Sequence, residues 1–182
     1  FDRHSGELVW TYDIGDLGKQ TDLNIRGQVG RNPMLYRGLA IVPVNAYNVL
    51  ALDAKTGELI WGVEITNRIL SGNSSIDAAG KMHVLNGYYN RIDCNTGELE
   101  LTHDMRPSII QNGLSTFTDN VFAGDSFFLG DNRKNLLLRF DAAQLIFDWR
   151  FELEGRVRGG PFMVDGVLYV HDDKQNLYLF EL

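Results

Sequence analysis

Five arginines recur at intervals along an acidic chain, and they are the residues best placed for ligand chemistry. The 182 residues include 24 acidic and 17 basic side chains, for a formal net charge of −7. A guanidinium group can hold a carboxylate through two parallel hydrogen bonds. We therefore predict a ring of arginines facing an anion, such as a carboxylate or an acidic segment of a partner: Arg26, Arg68, Arg106, Arg156 and Arg158. The alternative is that they pair with neighbouring acids, such as Asp22, Asp104 and Glu154, and only fix their own loops.

The other reactive side chains show no catalytic or metal-binding pattern. No catalytic triad, phosphate-binding loop or zinc motif is present in the sequence. The acid–amide pairs within residues 22–24 and 119–120 are typical of turns. Cys94 is the single cysteine, so no intramolecular disulfide can form. We predict no catalytic residues, metal or cofactor, since the histidines also share no ligand spacing: His4, His83, His103 and His171.

Composition excludes several classes of partner. With a pI of about 5.0, most of the surface repels phosphate groups, so we expect no binding to nucleic acid. The longest apolar runs have the length of strands, far below the roughly 18 to 20 residues of a membrane span.

Phe1 stands inside a repeated motif, so we expect a piece of a longer chain or a mature product.

The dominant pattern is a motif that occurs four times. An acidic residue begins each copy, a Ser/Thr-Gly pair follows in three copies, and three copies carry tryptophan eight residues after the acid. The acidic positions lie 51, 40 and 48 residues apart, a spacing that fits propeller blades of four short strands. The motif residues are Asp2, Gly6, Trp10, Asp53, Thr56, Gly57, Trp61, Asp93, Thr96, Gly97, Asp141 and Trp149.

Short alternating strands between turn signals predict an all-β fold, a β-propeller of four-stranded antiparallel blades. About four blades fit this chain, as a single domain over residues 1–182. We place them at residues 26–65, 66–105, 106–153 and 154–182, the last completed by residues 1–14. The insertion at residues 15–31 and the segment 112–125 exceed the usual loop length of about 4 to 6 residues, so we interpret both as long loops.

The motif has a physical logic. The aspartate can accept hydrogen bonds from backbone N–H groups of its turn, and glycine can take a positive φ there with little strain. The tryptophan then lies on the outer strand of the blade. Its ring can cover the gap to the next blade while its N–H reaches a carbonyl. A seal of this kind is needed because one blade cannot bury both of its faces alone.

The segment from Ala51 to Trp61 resembles the tryptophan-docking motif of pyrroloquinoline-quinone (PQQ) type propellers, and the resemblance extends over the whole chain. It implies a ring of seven or eight blades in a periplasmic or extracellular protein. Some members of the family are alcohol dehydrogenases that hold PQQ and calcium, with a vicinal cysteine pair packed on the quinone. Others, similar to an outer-membrane assembly lipoprotein, are scaffolds without a cofactor. Here Cys94 has no cysteine neighbour.

The lack of a second cysteine beside Cys94 favours a non-catalytic scaffold that binds a protein, a peptide or another ligand. The alternative is part of a PQQ-dependent dehydrogenase, for which PQQ and calcium would be the cofactors. A second alternative is an extracytoplasmic sensor domain. For the ring we expect half of an eight-bladed propeller, completed by further blades of the parent chain or by a homodimer. A small four-bladed ring closed by the first strand stays open as an alternative.

Overall fold

A computed structural model describes residues 4–14, 33–44, 47–65, 74–85, 87–114, 117–131 and 133–182. Within these residues the chain forms fifteen β-strands in four antiparallel sheets and one short helix. The prediction of an all-β propeller arc is confirmed. The insertion at residues 15–31 and the arginines Arg26 and Arg68 lie outside the described residues.

The first two sheets are complete four-stranded blades, each running from an inner to an outer strand. The first blade contains β1 (Met34–Tyr36), β2 (Leu39–Val44), β3 (Asn48–Asp53) and β4 (Leu59–Glu64). The second blade contains β5 (Ser74–Ile76), β6 (Lys81–Leu85), β7 (Tyr88–Asp93) and β8 (Leu99–Asp104). The two central strands of the first blade are rich in Val, Ile and Leu, and they are buried over most of their length.

The third blade has four strands, and the fourth sheet has three among the described residues. The third contains β9 (Phe117–Ala123), β10 (Ser126–Asp131), β11 (Leu136–Asp141) and β12 (Ile146–Glu152). The fourth contains β13 (Phe162–Val164), β14 (Val167–His171) and β15 (Leu177–Glu181). No described residue pairs with the outer edge of β15, so completion of this blade by residues 1–14 stays a prediction.

One sequence prediction is wrong. The segment at residues 112–125, interpreted as a loop, is mostly the innermost strand β9, and a short helix, α1 (Arg106–Gln111), precedes it. The three consecutive polar residues of β9, Thr118 to Asn120, imitate a turn in the sequence. In the structure Thr118 is instead buried within the sheet, where its Oγ1 accepts a hydrogen bond of 2.9 Å from the N–H of Gly130.

Each turn between the third and fourth strands is built by the repeated aspartate. Asp53 Oδ1 accepts hydrogen bonds of 2.8 Å from the backbone N–H groups of Lys55 and Thr56. Gly57 closes the turn with φ at +76° and donates its N–H to the Asp53 carbonyl at 2.8 Å. Glycine adopts this left-handed conformation without the steric cost that a Cβ would bring.

Tryptophan rings lie directly over the glycines of these turns, and the ring of Trp61 joins the first blade to the second. A Cβ built on Gly57 would stand 2.7 Å from the Trp10 ring, and one on Gly97 would stand 2.7 Å from the Trp61 ring. Trp10 Nε1 donates to the Ala54 carbonyl at 3.1 Å, and Trp61 Nε1 donates to the Cys94 carbonyl at 3.0 Å. The ring therefore needs a residue without a side chain beneath it.

The hydrophobic core consists of clusters between blades. The first blade meets the second through a cluster that includes Ile41, Trp61 and Met82. A cluster around Tyr89 and Phe127 joins the second and third blades, and other clusters cover the remaining faces. Each burial therefore depends on two neighbouring sheets, and the blades stabilise one another by removing apolar area from water.

The docking geometry predicts that Gly97→Ala destabilises the fold more than Gly38→Ala. Both glycines have positive φ, so both variants introduce left-handed strain of about 1–2 kcal/mol. Only the Cβ at position 97 would collide with the Trp61 ring, because nothing lies within 4 Å of one built on Gly38. We expect Gly97→Ala to lose at least about 1 kcal/mol more than its control. Urea unfolding measures both, and equal losses would contradict the steric role of the ring.

Candidate functional site

The loops that could carry function lie together at one end of the blades, which we call the loop face. Strand direction alternates in every blade, so the turn between the second and third strands lies at the same end as the loop that leaves the outer strand. Backbone hydrogen bonds tie these loops together, as when Met105 N–H donates to the Gly87 carbonyl at 3.0 Å. The aspartate turns occupy the opposite end.

Arg106 lies on the loop face at the start of α1 and is held on two sides. Its Nε donates to Asp104 Oδ1 at 2.8 Å and its Nη2 donates to Asp104 Oδ2 at 2.6 Å. The guanidinium carbon also stands 4.8 Å from the centre of the Tyr88 ring. The hydrogen bonds from Arg106 lower the pKa of Asp104 to about 2, so the pair is ionic at neutral pH.

Arg156 and Arg158 lie on the same face, before β13. Arg158 pairs with Asp173, with Nη2 and Oδ2 3.2 Å apart. Arg156 uses its backbone there, since its N–H donates to Asp173 Oδ1 at 2.8 Å and its carbonyl accepts from the Asp173 N–H at 2.9 Å. Arg106 and Arg158 thus have acidic partners, and their charge is already balanced locally. The proposed ring of arginines facing an anion stays a prediction.

Ile110 follows Arg106 by four residues on α1, which places the two on the same side of the helix. Ile110 on α1 is 77% exposed, whereas Ile109 packs against the cluster between the second and third blades. The helix is therefore anchored by one isoleucine and presents the other to solvent. A planar guanidinium, an aromatic ring and an exposed aliphatic residue together form a small surface of the composition found at the centre of protein interfaces.

The seam between the second and third blades departs from the docking motif at both of its positions. Leu101 replaces the tryptophan, and Leu145 takes the glycine position of the turn with φ at +63°. Both leucines pack against the same cluster. The smaller side chain at 101 leaves room for a side chain at 145, although left-handed leucine costs about 1–2 kcal/mol. The two substitutions therefore compensate each other.

A polar cluster lies next to this seam, centred on the buried His83. Its Nδ1 is 2.9 Å from Tyr89 Oη, and its Nε2 is 3.0 Å from Asp77 Oδ2. The Phe122 ring of the third blade stacks on the imidazole with ring centres 4.1 Å apart. Burial lowers the pKa of His83, against the opposing effect of Asp77. Sequence analysis missed this cluster, and its only signal was the leucine at the tryptophan position.

Two cationic residues complete the cluster at its solvent side. Lys81 Nζ bonds to Asp93 Oδ2 at 2.7 Å and also contacts Glu100 Oε1. Arg91 Nε donates to Glu100 Oε2 at 3.0 Å. A cleft of about 210 Å³ opens beside these groups between the two blades. The ion pairs lie within the second blade, and the contact across the seam is made by His83, whose ring stacks on Phe122 of the third blade.

Three further features concern the cysteine, metal-binding groups and membrane-spanning helices. Cys94 is buried, and burial raises the pKa of its thiol to about 11, so the thiol stays protonated at neutral pH. Across the described ranges, no group of three or more His, Cys, Asp or Glu residues could hold a metal ion. None of the helices in the described part is long and apolar enough to cross a membrane.

Four antiparallel sheets, with tryptophan rings docked over the glycine turns of the first two, define an arc of a PQQ-type β-propeller. The family described as outer membrane protein assembly factor BamB matches residues 1–144. The chain belongs to this family.

Curated relatives include quinone-dependent enzymes. The dehydrogenase subunit of alcohol dehydrogenase (quinone) from Komagataeibacter europaeus is 24% identical over 143 residues, which are 69% of this chain and 19% of that protein. Quinohemoprotein alcohol dehydrogenase ADH-IIG from Pseudomonas putida is 29% identical over 114 residues, 53% of this chain and 15% of that protein. The chain therefore spans less than a fifth of the length of these relatives.

Solved propellers share the fold. BamB from Moraxella catarrhalis superposes with a TM-score of 0.54 at 20% identity, covering 79% of this chain and 43% of that one. The computationally designed Ika8 protein superposes with a TM-score of 0.55 at 10% identity, covering 82% of this chain and 45% of that one. The arc described here corresponds to less than half of either solved chain.

The buried imidazole predicts a loss of stability in mild acid. Burial holds the pKa of His83 below its ordinary value of about 6.5, so the unfolded chain takes up a proton first as the pH falls. The stability that the neutral imidazole contributes is fully present above about pH 6.5, the ordinary pKa of histidine. It declines below that pH by at most about 1.4 kcal/mol per pH unit. Urea unfolding from about pH 7.5 to about pH 5.5 measures this decline.

His83→Gln cannot ionise and should flatten the decline in that range. The matched control is His171→Gln, because His171 is exposed at the end of β14. If His83→Gln and the unmodified chain lose the same stability between the two pH values, another group is responsible.

Proposed function

We propose that this chain is part of a non-catalytic scaffold that binds a protein partner through the loop face, in the periplasm or another compartment outside the cytoplasm. The observation that carries the proposal is the surface formed by Arg106, Tyr88 and Ile110. The ion pair with Asp104 fixes the guanidinium before any partner arrives, which lowers the entropy lost on binding. Family membership supports the proposal, since the family takes its description from an assembly factor.

A protein partner fits this surface better than a small anion does. Asp104 already neutralises the positive charge of Arg106. A free carboxylate would therefore have to displace an existing bidentate pair. A protein could instead cover Ile110 and stack on the guanidinium plane while the pair stays intact. The acidic net charge of the chain also disfavours general attraction of anions.

Substitution of Ile110 tests this proposal. We expect tagged chain to retain specific proteins from an extract of a Gram-negative cell envelope, and Ile110→Asp to lose them by about tenfold or more. The matched control is Ile60→Asp, which places the same charge on an exposed isoleucine of β4. Proteins retained by the unmodified chain and by Ile60→Asp, identified by mass spectrometry, support the proposal. Equal retention by both variants, or no retention, would refute it.

A quinoprotein dehydrogenase is the second candidate, and the similarity to quinone-dependent alcohol dehydrogenases favours it. That chemistry would need oxygen ligands for calcium and a packing surface for the quinone. The chain has one cysteine and therefore no vicinal pair to pack on the quinone. Any such site would have to draw its groups from other blades or from residues outside the described ranges.

A thermal shift with PQQ and calcium separates the two candidates. A ligand present at 100 times its dissociation constant stabilises a fold by about 2.7 kcal/mol, which raises Tm by several degrees. For the scaffold we expect no change in Tm with PQQ and calcium together, relative to calcium alone. A rise that grows with PQQ concentration would favour the dehydrogenase.

A further inference from the structure

A pocket opens between the second and third blades, beside the end of α1. Its volume is about 270 Å³. One wall is the chain that leaves α1, with Asn112 and Leu114, and the other is formed by β11 and β12, with Leu138, Phe147 and Arg150. Both blades have all four of their strands, so the pocket lies inside the arc rather than at one of its ends.

The floor of the pocket is apolar. Leu138 is 2% exposed and belongs to the cluster that joins the two blades, and Leu114 and Phe147 pack against that cluster. Sites for drug-sized ligands usually measure about 300–1,000 Å³. This pocket lies below that range, so it fits one large side chain or a small molecule of similar size.

The wall that follows α1 is held in place before anything binds. The N–H of Leu114 donates to the Ile109 carbonyl at 2.9 Å, and Asn112 Nδ2 donates to the Ser108 carbonyl at 2.9 Å. Ile109 is itself packed against the cluster between the two blades. A pocket with fixed walls loses little conformational entropy when a side chain enters it.

The rim of the pocket is positively charged, although the whole chain carries a net charge of −7. Asp148 on the rim is balanced by Arg139, whose Nε donates to Asp148 Oδ1 at 2.8 Å. Arg150 is exposed, and its guanidinium has no hydrogen bond or ion pair to another of the described residues. Lys134 adds a second cation, since its Nζ is 2.9 Å from a Cβ built on Gly113. A guanidinium without a counter-charge beside an apolar floor suits a carboxylate that is carried by an apolar group.

The pocket continues the surface formed by Arg106 and Ile110. Ile110 precedes Asn112 by two residues, a distance of about 3 Å along a helix axis. An extended chain advances by about 3.3–3.6 Å per residue. A protein that covers the exposed Ile110 therefore reaches the pocket within a few of its own residues.

We propose that this pocket receives a large apolar side chain of the protein partner, and that a neighbouring carboxylate of the same partner binds Arg150. The inference rests on the proposed scaffold function and adds the chemistry of the bound segment, in which an aromatic or long aliphatic residue stands beside an acidic one. Lys134 adds to the attraction of the carboxylate, and Asp148 opposes it little because Arg139 already balances its charge.

N-acetylphenylalanine is a probe of this chemistry, because it has one aromatic ring and one carboxylate. Added to the isotopically labelled 182-residue chain, it should shift the amide resonances of Leu114 and Phe147 in a saturable way, with a roughly millimolar dissociation constant. N-acetylphenylalaninamide has the same ring without the charge, and we expect it to bind at least about fivefold more weakly. No saturable shift with the acid, or equal binding of the acid and the amide, would overturn the site.

Substitution of Arg150 identifies the group that binds the carboxylate. Arg150→Gln should weaken binding of the acid about fivefold or more and leave binding of the amide unchanged, while Arg150→Lys keeps the charge and should give an intermediate constant. The matched control is Arg37→Gln, which removes an exposed arginine of the first blade and should leave both constants unchanged. Equal losses in Arg150→Gln and Arg37→Gln would indicate attraction by net charge alone and would contradict the site. Circular dichroism on each variant confirms that the chain has folded.

Capture from the cell-envelope extract shows whether the carboxylate comes from a protein. We expect Arg150→Gln to retain about fivefold less of the proteins that the unmodified chain and Arg37→Gln retain. If Ile110→Asp loses these proteins and Arg150→Gln keeps them, the partner does not use the pocket, and this inference fails while the proposed function stands. If no protein is retained and N-acetylphenylalanine still binds, the proposed function fails instead, and a free small carboxylate replaces the protein as the ligand.

Discussion

The fold depends on how one blade covers the face of the next. A four-stranded sheet with apolar side chains on both faces gains little by folding alone, because both faces would stay in water. The contact between an indole ring and a glycine turn solves this problem with few atoms. Glycine lets the ring approach to van der Waals distance, and the indole N–H satisfies a carbonyl that the same turn exposes. The turn, the ring and the seam are therefore one unit.

The seam between the second and third blades shows how far that unit can be changed. Replacing tryptophan by Leu101 removes most of the covering surface, and Leu145 returns part of it at the cost of a left-handed backbone. The stacked pair of His83 and Phe122 crosses the seam, and the ion pairs beside it lie within the second blade. Ion pairs at partial exposure contribute little each. The buried His83 therefore makes the stability of this seam sensitive to pH.

Sequence reasoning succeeded where structure is local. The aspartate turns and most central strands follow from residue types only a few positions apart, and the repeat makes each copy support the others. It failed for β9, because the hydrogen bond between Thr118 and Gly130 joins residues of two strands that no local pattern reveals. It also could not foresee that Arg158 meets Asp173, fifteen residues away. The His83 cluster joins two blades, so its signal lay in the departure at Leu101 rather than in a motif.

The geometry also separates what one arc can do from what a ring can do. Groups near the axis of a propeller come from the inner strands and loops of every blade, so a central site for a cofactor is a property of the closed ring. A surface such as that of Arg106 and Ile110 needs only one blade and its neighbour, since its hydrogen bonds and packing are complete within them. A family that shares one fold can therefore include enzymes and assembly factors, because catalysis requires convergence at the axis and partner binding does not.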